Sequence, residues 1–144
     1  MTAAQAAPAY PSAEPVRKGP IVITSATLTA EDGKAVFEGS VVAKQDGMTL
    51  MADRMLVFYA GDGKISTIEA EGNVRLLKGE KVVTSERASY IAAEEKVVFT
   101  GEPKVVEGEN VLTGKRLIYM VGENRYIIEE SKVQLKTGAY PQGK

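Results

Sequence analysis

Residues 70–76 read Ala-Glu-Gly-Asn-Val-Arg-Leu, an alternation of apolar and polar side chains around a central glycine. In an extended chain Val74 and Leu76 lie on one face, and Asn73 and Arg75 lie on the other, which is the period of two of a β-strand. A glycine inside a strand often marks a bend or a close approach of two backbones. The stretch therefore predicts a bent strand with one apolar face.

This bent-strand pattern repeats along the chain. Its central segments lie at residues 37–41, 70–74, 99–103 and, more loosely, 129–133. A second repeated segment precedes each of them, at residues 23–28, 50–55, 83–88 and 112–117. Such a repeat indicates that one structural unit is used four times, so all copies should adopt the same conformation.

Turn sequences separate the repeated segments. They lie at residues 31–34, 61–64, 93–96 and 122–125, with further glycine turns at Gly47, Gly79, Gly108 and Gly138. Eight long segments and eight turns predict an antiparallel meander, because parallel strands would need crossovers of a dozen or more residues. Residues 85–96 are rich in helix formers, but their counterparts in the other repeats suit strand, turn and strand, so we expect no helix there.

The parity of the apolar side chains changes inside each repeat. Leu50 and Met55 are an odd number of positions apart, so a regular strand would point them to opposite faces. The same holds for Val83 and Ala88. A bulge or bend between the two positions would return both side chains to one interior. Bent strands stacked in one direction predict an all-β fold, a stacked antiparallel β-roll with an apolar trough between two sheets. Pro103 should then lie at an edge or a bulge.

Composition limits the classes of function. The chain has 144 residues and is 44% hydrophobic, which suits a single domain with a core. Cys and His are absent, so thiolate chemistry, the commonest general base and the commonest metal ligand are excluded. The net charge is -1 with both signs interspersed, so we expect no nucleic-acid partner. No apolar run approaches the about 20 residues of a membrane-spanning helix.

Carboxylates are the main remaining candidates for catalysis. Asp53, Glu69, Glu71 and Glu86 mostly occupy outward-facing or turn positions in the repeat, which is typical of a solvated face. We therefore name no catalytic residue, no metal site and no cofactor, and expect that the protein is not an enzyme.

The terminal segments differ in composition from the repeats. Residues 1–19 are rich in Ala and Pro, and Ala4-Gln5-Ala6 has the small-x-small form of a signal-peptidase site. We expect residues 1–19 to be a disordered tail that follows a removed signal peptide. Residues 20–138 would form the β domain, and residues 139–144 a disordered C-terminal tail.

Five segments of the body match motifs of a known family. They are PIVITS (20–25), VFEGSV (36–41), LMADR (50–54), VVFTG (97–101) and GKRLIY (114–119). In this order and at these spacings they resemble the OstA-like family of periplasmic lipopolysaccharide-transport proteins. The resemblance covers residues 20 to about 136.

The resemblance implies an open, slightly twisted β-jellyroll that carries the acyl chains of lipid A and bridges the inner and outer membranes of a Gram-negative cell. Its implied partners are lipopolysaccharide, further copies of the chain joined by head-to-tail strand pairing, and inner-membrane and outer-membrane transport components of the same fold. The strand with Ile21 and Ile23 would form one edge, and residues 126–135 the edge that accepts a neighbour. Ser131 stands where the repeat has glycine, so we expect the last strand to bend less or to pair differently.

The alternation then gives the side chains that would line the lipid channel. They share the inward parity of the repeat: Ile21, Ile23, Leu28, Phe37, Val41, Leu50, Met55, Val57, Tyr59, Ile68, Val74, Leu76, Val83, Tyr90, Val97, Phe99, Val105, Leu112, Leu117, Tyr119, Ile128, Val133 and Leu135.

Two alternatives stay open. The chain could be the membrane-anchored partner or an outer-membrane assembly factor of the same fold. It could also be a structural β-repeat filament protein without a ligand, which would have a dry, fully packed interior.

Overall fold

The computed structural model describes residues 19–123 and 125–135, which form an all-β molecule. The twelve strands are β1 Val22–Thr24, β2 Thr27–Glu31, β3 Lys34–Gln45, β4 Met48–Tyr59, β5 Ile65–Lys78, β6 Lys81–Ile91, β7 Lys96–Thr100, β8 Lys104–Glu107, β9 Asn110–Thr113, β10 Arg116–Met120, β11 Arg125–Glu129 and β12 Lys132–Gln134. Two 3-10 turns, Ala92–Glu94 and Val121–Glu123, follow β6 and β10. In this part of the chain, no helix has the length and apolar character needed to cross a membrane. The predicted tails lie outside the described residues, apart from Gly19.

The twelve strands correspond to the eight extended segments that the repeat predicts. Four segments are the continuous strands β3 to β6, and the other four are each broken once, into β1 and β2, β7 and β8, β9 and β10, and β11 and β12. All strand pairs are antiparallel, so the predicted meander is confirmed. Residues 85–91 are part of β6 and not of a helix, as the repeat predicts.

The bends divide the sheet into two halves that share the long strands. In the β11 half, the order of pairing is β2, β3, β4, β5, β6, β7, β10 and β11. In the β12 half, it is β1, β3, β4, β5, β6, β8, β9 and β12. Side chains of both halves contribute to one buried cluster, so the halves face each other across a common interior.

Glycines allow the backbones to approach at the bends. Gly101 has a φ of +81°, and a Cβ atom at this position would lie 2.5 Å from the Cβ of Glu86. Its carbonyl accepts a hydrogen bond from the Glu86 N–H at 3.0 Å. The register also shifts on either side of Gly72, between Glu71 and Val74. The predicted bends at the central glycines are therefore confirmed. Pro103 lies in the break between β7 and β8, which is inside the sheet and not at its edge.

The last repeat bends without a glycine. Arg116 pairs with Thr100 on one side and with Glu129 on the other, so Glu129 is the counterpart of Thr100. The counterpart of Gly101 is therefore Glu130 and not Ser131. Glu130 adopts a φ of 53° there, and the chain breaks between β11 and β12 as it does between β7 and β8. A non-glycine residue in this conformation carries backbone strain. The expectation that the last strand bends less or pairs differently stays a prediction.

The centre of the molecule is a packed apolar core. Val41, Met55, Val57, Val74 and Phe99 have no measurable exposure to solvent. Burial of each such side chain stabilises the fold by about 1.5–3 kcal/mol relative to its exposure to water. The core lies where the two halves meet, so it holds the bent sheet in its folded shape.

Candidate functional site: the apolar interior and its polar rim

The inward side chains form rows that cross the whole sheet. In the β11 half, successive cross-strand partners are Leu28, Phe37, Met55, Ala70, Ala88, Phe99, Leu117 and Ile128. In the β12 half, they are Ile23, Ala43, Leu50, Leu76, Val83, Val105, Leu112 and Val133. Each row runs from one edge strand to the other without a polar side chain. An apolar chain lying along the row would therefore meet hydrocarbon at every step.

Most positions predicted from the alternation lie in this interior. Those that are buried are Val41, Leu50, Met55, Val57, Ile68, Val74, Leu76, Val83, Val97, Phe99, Val105, Leu112, Leu117 and Tyr119. Those that are partly buried and packed against the same cluster are Ile21, Ile23, Phe37, Tyr90 and Ile128.

Four predicted positions are exposed: Leu28, Tyr59, Val133 and Leu135. Leu28 and Val133 have the inward parity, but each lies on a terminal strand that has no further neighbour within the described residues. Tyr59 ends β4 next to a register shift, and Leu135 follows the last residue of β12. The structure therefore leaves these four outside the buried cluster.

Small side chains occupy several inward positions. Ala35, Ala43, Ala52, Ala70 and Ala88 are all buried. The space that remains between the halves is nevertheless small. An opening of about 30 Å³ lies among residues that include Ile21, Ala43, Leu50, Ile68, Leu76 and Tyr90. A space of this size is too small for an acyl chain, so this conformation has a closely packed interior with an apolar opening at one margin.

The margin of the β12 half beside this opening is polar. Its inward row consists of Gln45, Met48, Lys78, Lys81, Glu107 and Asn110, which are successive cross-strand partners. We call this row the polar rim. Two aromatic rings of the β11 half face it. The Lys81 ammonium lies 4.7 Å from the centre of the Tyr126 ring and 5.4 Å from that of Tyr119.

The polar rim contains an unusual buried lysine. Lys81 is only 5% exposed, and its ammonium has no hydrogen-bond partner among the described residues. Burial lowers the pKa of Lys81 below its ordinary value of 10.5, whereas the charge of Glu107 acts in the opposite direction and that of Lys78 adds to the lowering. Burial also raises the pKa of the Tyr126 phenol, and Glu107 adds to that effect.

The carboxylates considered as catalytic candidates make contacts on the outer surface or at the bends. Glu71 lies 3.4 Å from a guanidinium nitrogen of Arg54. Glu69 accepts a hydrogen bond from the Ser89 hydroxyl at 2.6 Å, and Asp53 accepts one from the Asn73 amide at 2.9 Å. The Glu86 side chain lies against the bend at Gly101.

Sequence reasoning missed the polar rim. Lys78 and Lys81 continue the inward parity of Leu76 and Val83, and Tyr126 has the same parity as Ile128. The alternation could have indicated this direction. Alternation alone does not single out Lys78 and Lys81, because a lysine close to a turn is usually solvated.

Comparison with known proteins assigns a family. Residues 21–125 match the family described as LptA/(LptD N-terminal domain) LPS transport protein. This chain belongs to that family. The resemblance seen in the sequence is therefore confirmed, and the LptA/LptD N-terminal domain family is one of transport proteins and not of enzymes.

A solved structure shares the fold of this LptA/LptD-family chain. It is the crystal structure of LptH, described as the LptA homologous periplasmic component of the conserved lipopolysaccharide transport device from Pseudomonas aeruginosa. The two structures superpose with a TM-score of 0.70 at 18% sequence identity, over 87% of this chain and 91% of that chain. The match supports the open, jellyroll-like β architecture. A comparison with curated protein sequences finds no significant match.

Proposed function

We propose that this chain is a periplasmic lipopolysaccharide-binding protein that holds the acyl chains of lipid A between the two halves of its sheet. The observation that carries the proposal is the pair of uninterrupted apolar rows, which run from the first edge strand to the last. Burial of about ten methylene groups at about 0.8 kcal/mol each would contribute on the order of 8 kcal/mol. Binding of the lipid would then need no basic surface on the protein, which agrees with the net charge of -1.

Acyl chains enter, in this proposal, by separation of the two halves. An opening of about 30 Å³ accommodates no acyl chain, so the cluster that includes Leu50, Leu76 and Tyr90 must part. The long strands β3 to β6 are continuous through the bends, which makes the bends the natural hinge. Inward alanines such as Ala43 and Ala70 would make the separation easier, because an alanine buries less apolar surface than a larger side chain does.

The edge strands support the proposal of end-to-end assembly. β1 and β2 pair only with β3 among the described residues, and β11 and β12 pair only with β10 and β9. Such edges are templates for pairing with another chain. If β11 and β12 of one copy paired with β2 and β1 of the next, the apolar rows of the two copies would join. A lipid could then slide between copies without exposure of its acyl chains to water.

The same edges could accept transport components of the inner and outer membranes. The family to which the chain belongs includes N-terminal domains of LptD as well as LptA. Partners with a related edge strand and a related apolar trough would extend the channel in both directions. The bridge from inner to outer membrane is thus proposed as a continuous β-roll of several chains.

Site-specific photocrosslinking to purified lipopolysaccharide tests the proposal. A photoreactive phenylalanine analogue would replace Phe37 or Tyr90, which are inward and only partly buried, so that the probe disturbs packing little. The matched controls are Arg75 and Lys104, which are exposed and lie on the outward face. We expect lipid adducts at the inward positions alone.

Absence of adducts at Phe37 and Tyr90 in a folded protein would contradict lipid transport. In that case the structural β-repeat filament would be the better account, because a nearly filled interior is also what that alternative requires.

A further inference from the structure

Three buried polar atoms on and opposite the polar rim have no hydrogen-bond partner among the described residues. They are Lys81 Nζ, Glu107 Oε1 and Tyr126 Oη. Buried polar groups in folded proteins are nearly always hydrogen-bonded, because an unmade bond in the interior is costly. Three such atoms in one place would be completed by polar groups from outside the chain, either water molecules or a ligand.

The three side chains converge from both halves of the sheet. Lys81 and Glu107 are direct cross-strand partners on β6 and β8. Tyr126 comes from β11 in the other half, and the Lys81 ammonium lies 4.7 Å from the centre of its ring. The charge of Glu107 influences the pKa of both Lys81 and Tyr126, so all three groups are within electrostatic reach of one another.

The chemistry of the three groups selects a partner that both accepts and donates hydrogen bonds. An ammonium only donates, a carboxylate only accepts, and a phenol can do both. A hydroxyl group satisfies this combination, since its oxygen accepts from Lys81 or Tyr126 while its proton goes to Glu107. The adjacent aromatic ring of Tyr119 offers an apolar face beside the hydroxyl site.

The local charges argue against an anionic partner. The surface hollow at this margin is lined by Lys78 and Lys81, and also by the three carboxylates of Asp46, Glu80 and Glu107. Two ammonium groups against three carboxylates do not favour a phosphate, which carries negative charge at neutral pH. An uncharged, hydroxyl-rich group meets no such repulsion.

The position of the three groups relates them to the interior. Lys78 and Lys81 lie two residues beyond Leu76 and Val83 on the same face, so the polar rim begins where the apolar rows end. The apolar opening is lined by Gln45 and Met48 of the same rim. An amphiphile with its chains in the interior would therefore place its headgroup at this margin.

We propose that Lys81, Glu107 and Tyr126 form a subsite for the hydroxyl groups of an uncharged sugar in the headgroup of the bound lipid. The inference rests on the proposed function, because it places the headgroup by assuming that the acyl chains lie between the halves. It adds that the headgroup is recognised through hydroxyl groups and not through phosphate.

Two amphiphiles with the same eight-carbon chain test the subsite. Octyl glucoside carries an uncharged sugar and octyl phosphate an anion. Both would be titrated calorimetrically, below their micelle-forming concentrations, into the full chain and its variants. E107Q removes the charge and replaces one of the two acceptor oxygens by a donor NH2, and Y126F removes the hydroxyl, while both keep the shape of the side chain. E102Q, at an exposed bend position outside the polar rim, is the matched control.

We expect E107Q and Y126F each to weaken octyl glucoside binding by about tenfold, which corresponds to about 1.4 kcal/mol of binding free energy. Octyl phosphate should bind as well to Y126F as to the unmodified protein, and as well or better to E107Q, which has lost a negative charge. E102Q should bind both ligands normally.

Each other outcome overturns a different claim. Unchanged glucoside binding in both variants would refute the sugar subsite and leave acyl-chain transport intact. A larger loss of octyl phosphate binding than of glucoside binding would show an anion site instead. If neither amphiphile bound to the folded protein, and no crosslinks formed at Phe37 or Tyr90, the proposed transport function would fail together with the subsite.

Discussion

The Lys81 ammonium on β6 lies 4.7 Å from the centre of the Tyr126 ring on β11, and this contact joins the two halves of the sheet at their open margin. Elsewhere the halves meet through aliphatic and aromatic packing. A cation above an aromatic ring is attracted to it, but here the cation is also buried without a hydrogen-bond partner among the described residues. At this margin the two halves are therefore joined by a buried charge against an aromatic ring and not by apolar packing alone.

Replacement of Lys81 by methionine should stabilise the protein at neutral pH. Burial lowers the pKa of Lys81, so between its folded pKa and 10.5 the unfolded chain binds more protons and the free energy of unfolding rises with pH. K81M removes this penalty, and we expect it to be about 1 kcal/mol more stable near pH 7. The difference in stability between K81M and the unmodified protein should be smaller at about pH 9.5, because Lys81 loses its proton more readily in the folded than in the unfolded chain. Tyr126 does not disturb the comparison, because its raised pKa lies above this pH.

Urea unfolding at the two pH values measures this difference. K104M, at an exposed outward position, is the control and should change the free energy of unfolding little at either pH. A K81M variant that is less stable than the unmodified protein at neutral pH would show that the contacts of the ammonium with the two tyrosine rings outweigh its burial.

Adjacent valines on β7 test the direction of the side chains. Val97 is 1% exposed and lies between Tyr90 and Tyr119 in an inward row, whereas Val98 lies on the outward face. We expect V97A to lower the free energy of unfolding by about 2–3 kcal/mol, because it removes two methyl groups and leaves a residual cavity. V98A should cost clearly less, about 1 kcal/mol. Equal losses in urea unfolding would contradict the assignment of inward and outward faces.

Ala43 offers a way to fill the apolar opening. It is 5% exposed and lines the small space beside Leu50 and Leu76. A43L adds three carbon atoms where only about 30 Å³ is open, and overpacking of this kind costs about 1–3 kcal/mol. We expect weaker binding of acyl chains with the β-sheet retained, measured by displacement of a fluorescent fatty acid and by circular dichroism. V42L, on the outward face of the same strand, should bind normally, and unchanged binding by A43L would place the acyl chains elsewhere.

Leu28 tests assembly through the first edge strand. Leu28 is the first side chain of an inward row and is 56% exposed. In a head-to-tail stack it would contact Ile128, the last side chain of the same row, in the preceding copy. Loss of one buried leucine corresponds to about 1.5–3 kcal/mol, so L28D should weaken self-association by about 10-fold to 100-fold. Analytical ultracentrifugation over a range of concentrations measures this. T29D changes the exposed outward neighbour, and an equal effect of both variants would argue against joined apolar rows.

Much of the fold follows from local sequence signals. Alternation places Val74 and Leu76 on one face because successive side chains of any extended strand point to opposite sides. Gly72 and Gly101 mark the bends because positive φ and close backbone approach are difficult for residues with a Cβ atom. These signals act over a few residues, so eight segments, their antiparallel order and most buried positions could be predicted from the chain alone.

The tertiary structure decided what depends on distant segments. Leu28 and Val133 have the inward parity that the sequence predicts, yet they are exposed because no further strand of the described chain covers the sheet edges. Lys81 and Tyr126 are far apart in the sequence, and neither carries a local signal of the other. Their contact exists because the bends fold one half of the sheet onto the other, and only that folding buries a lysine and places a polar rim beside the apolar interior.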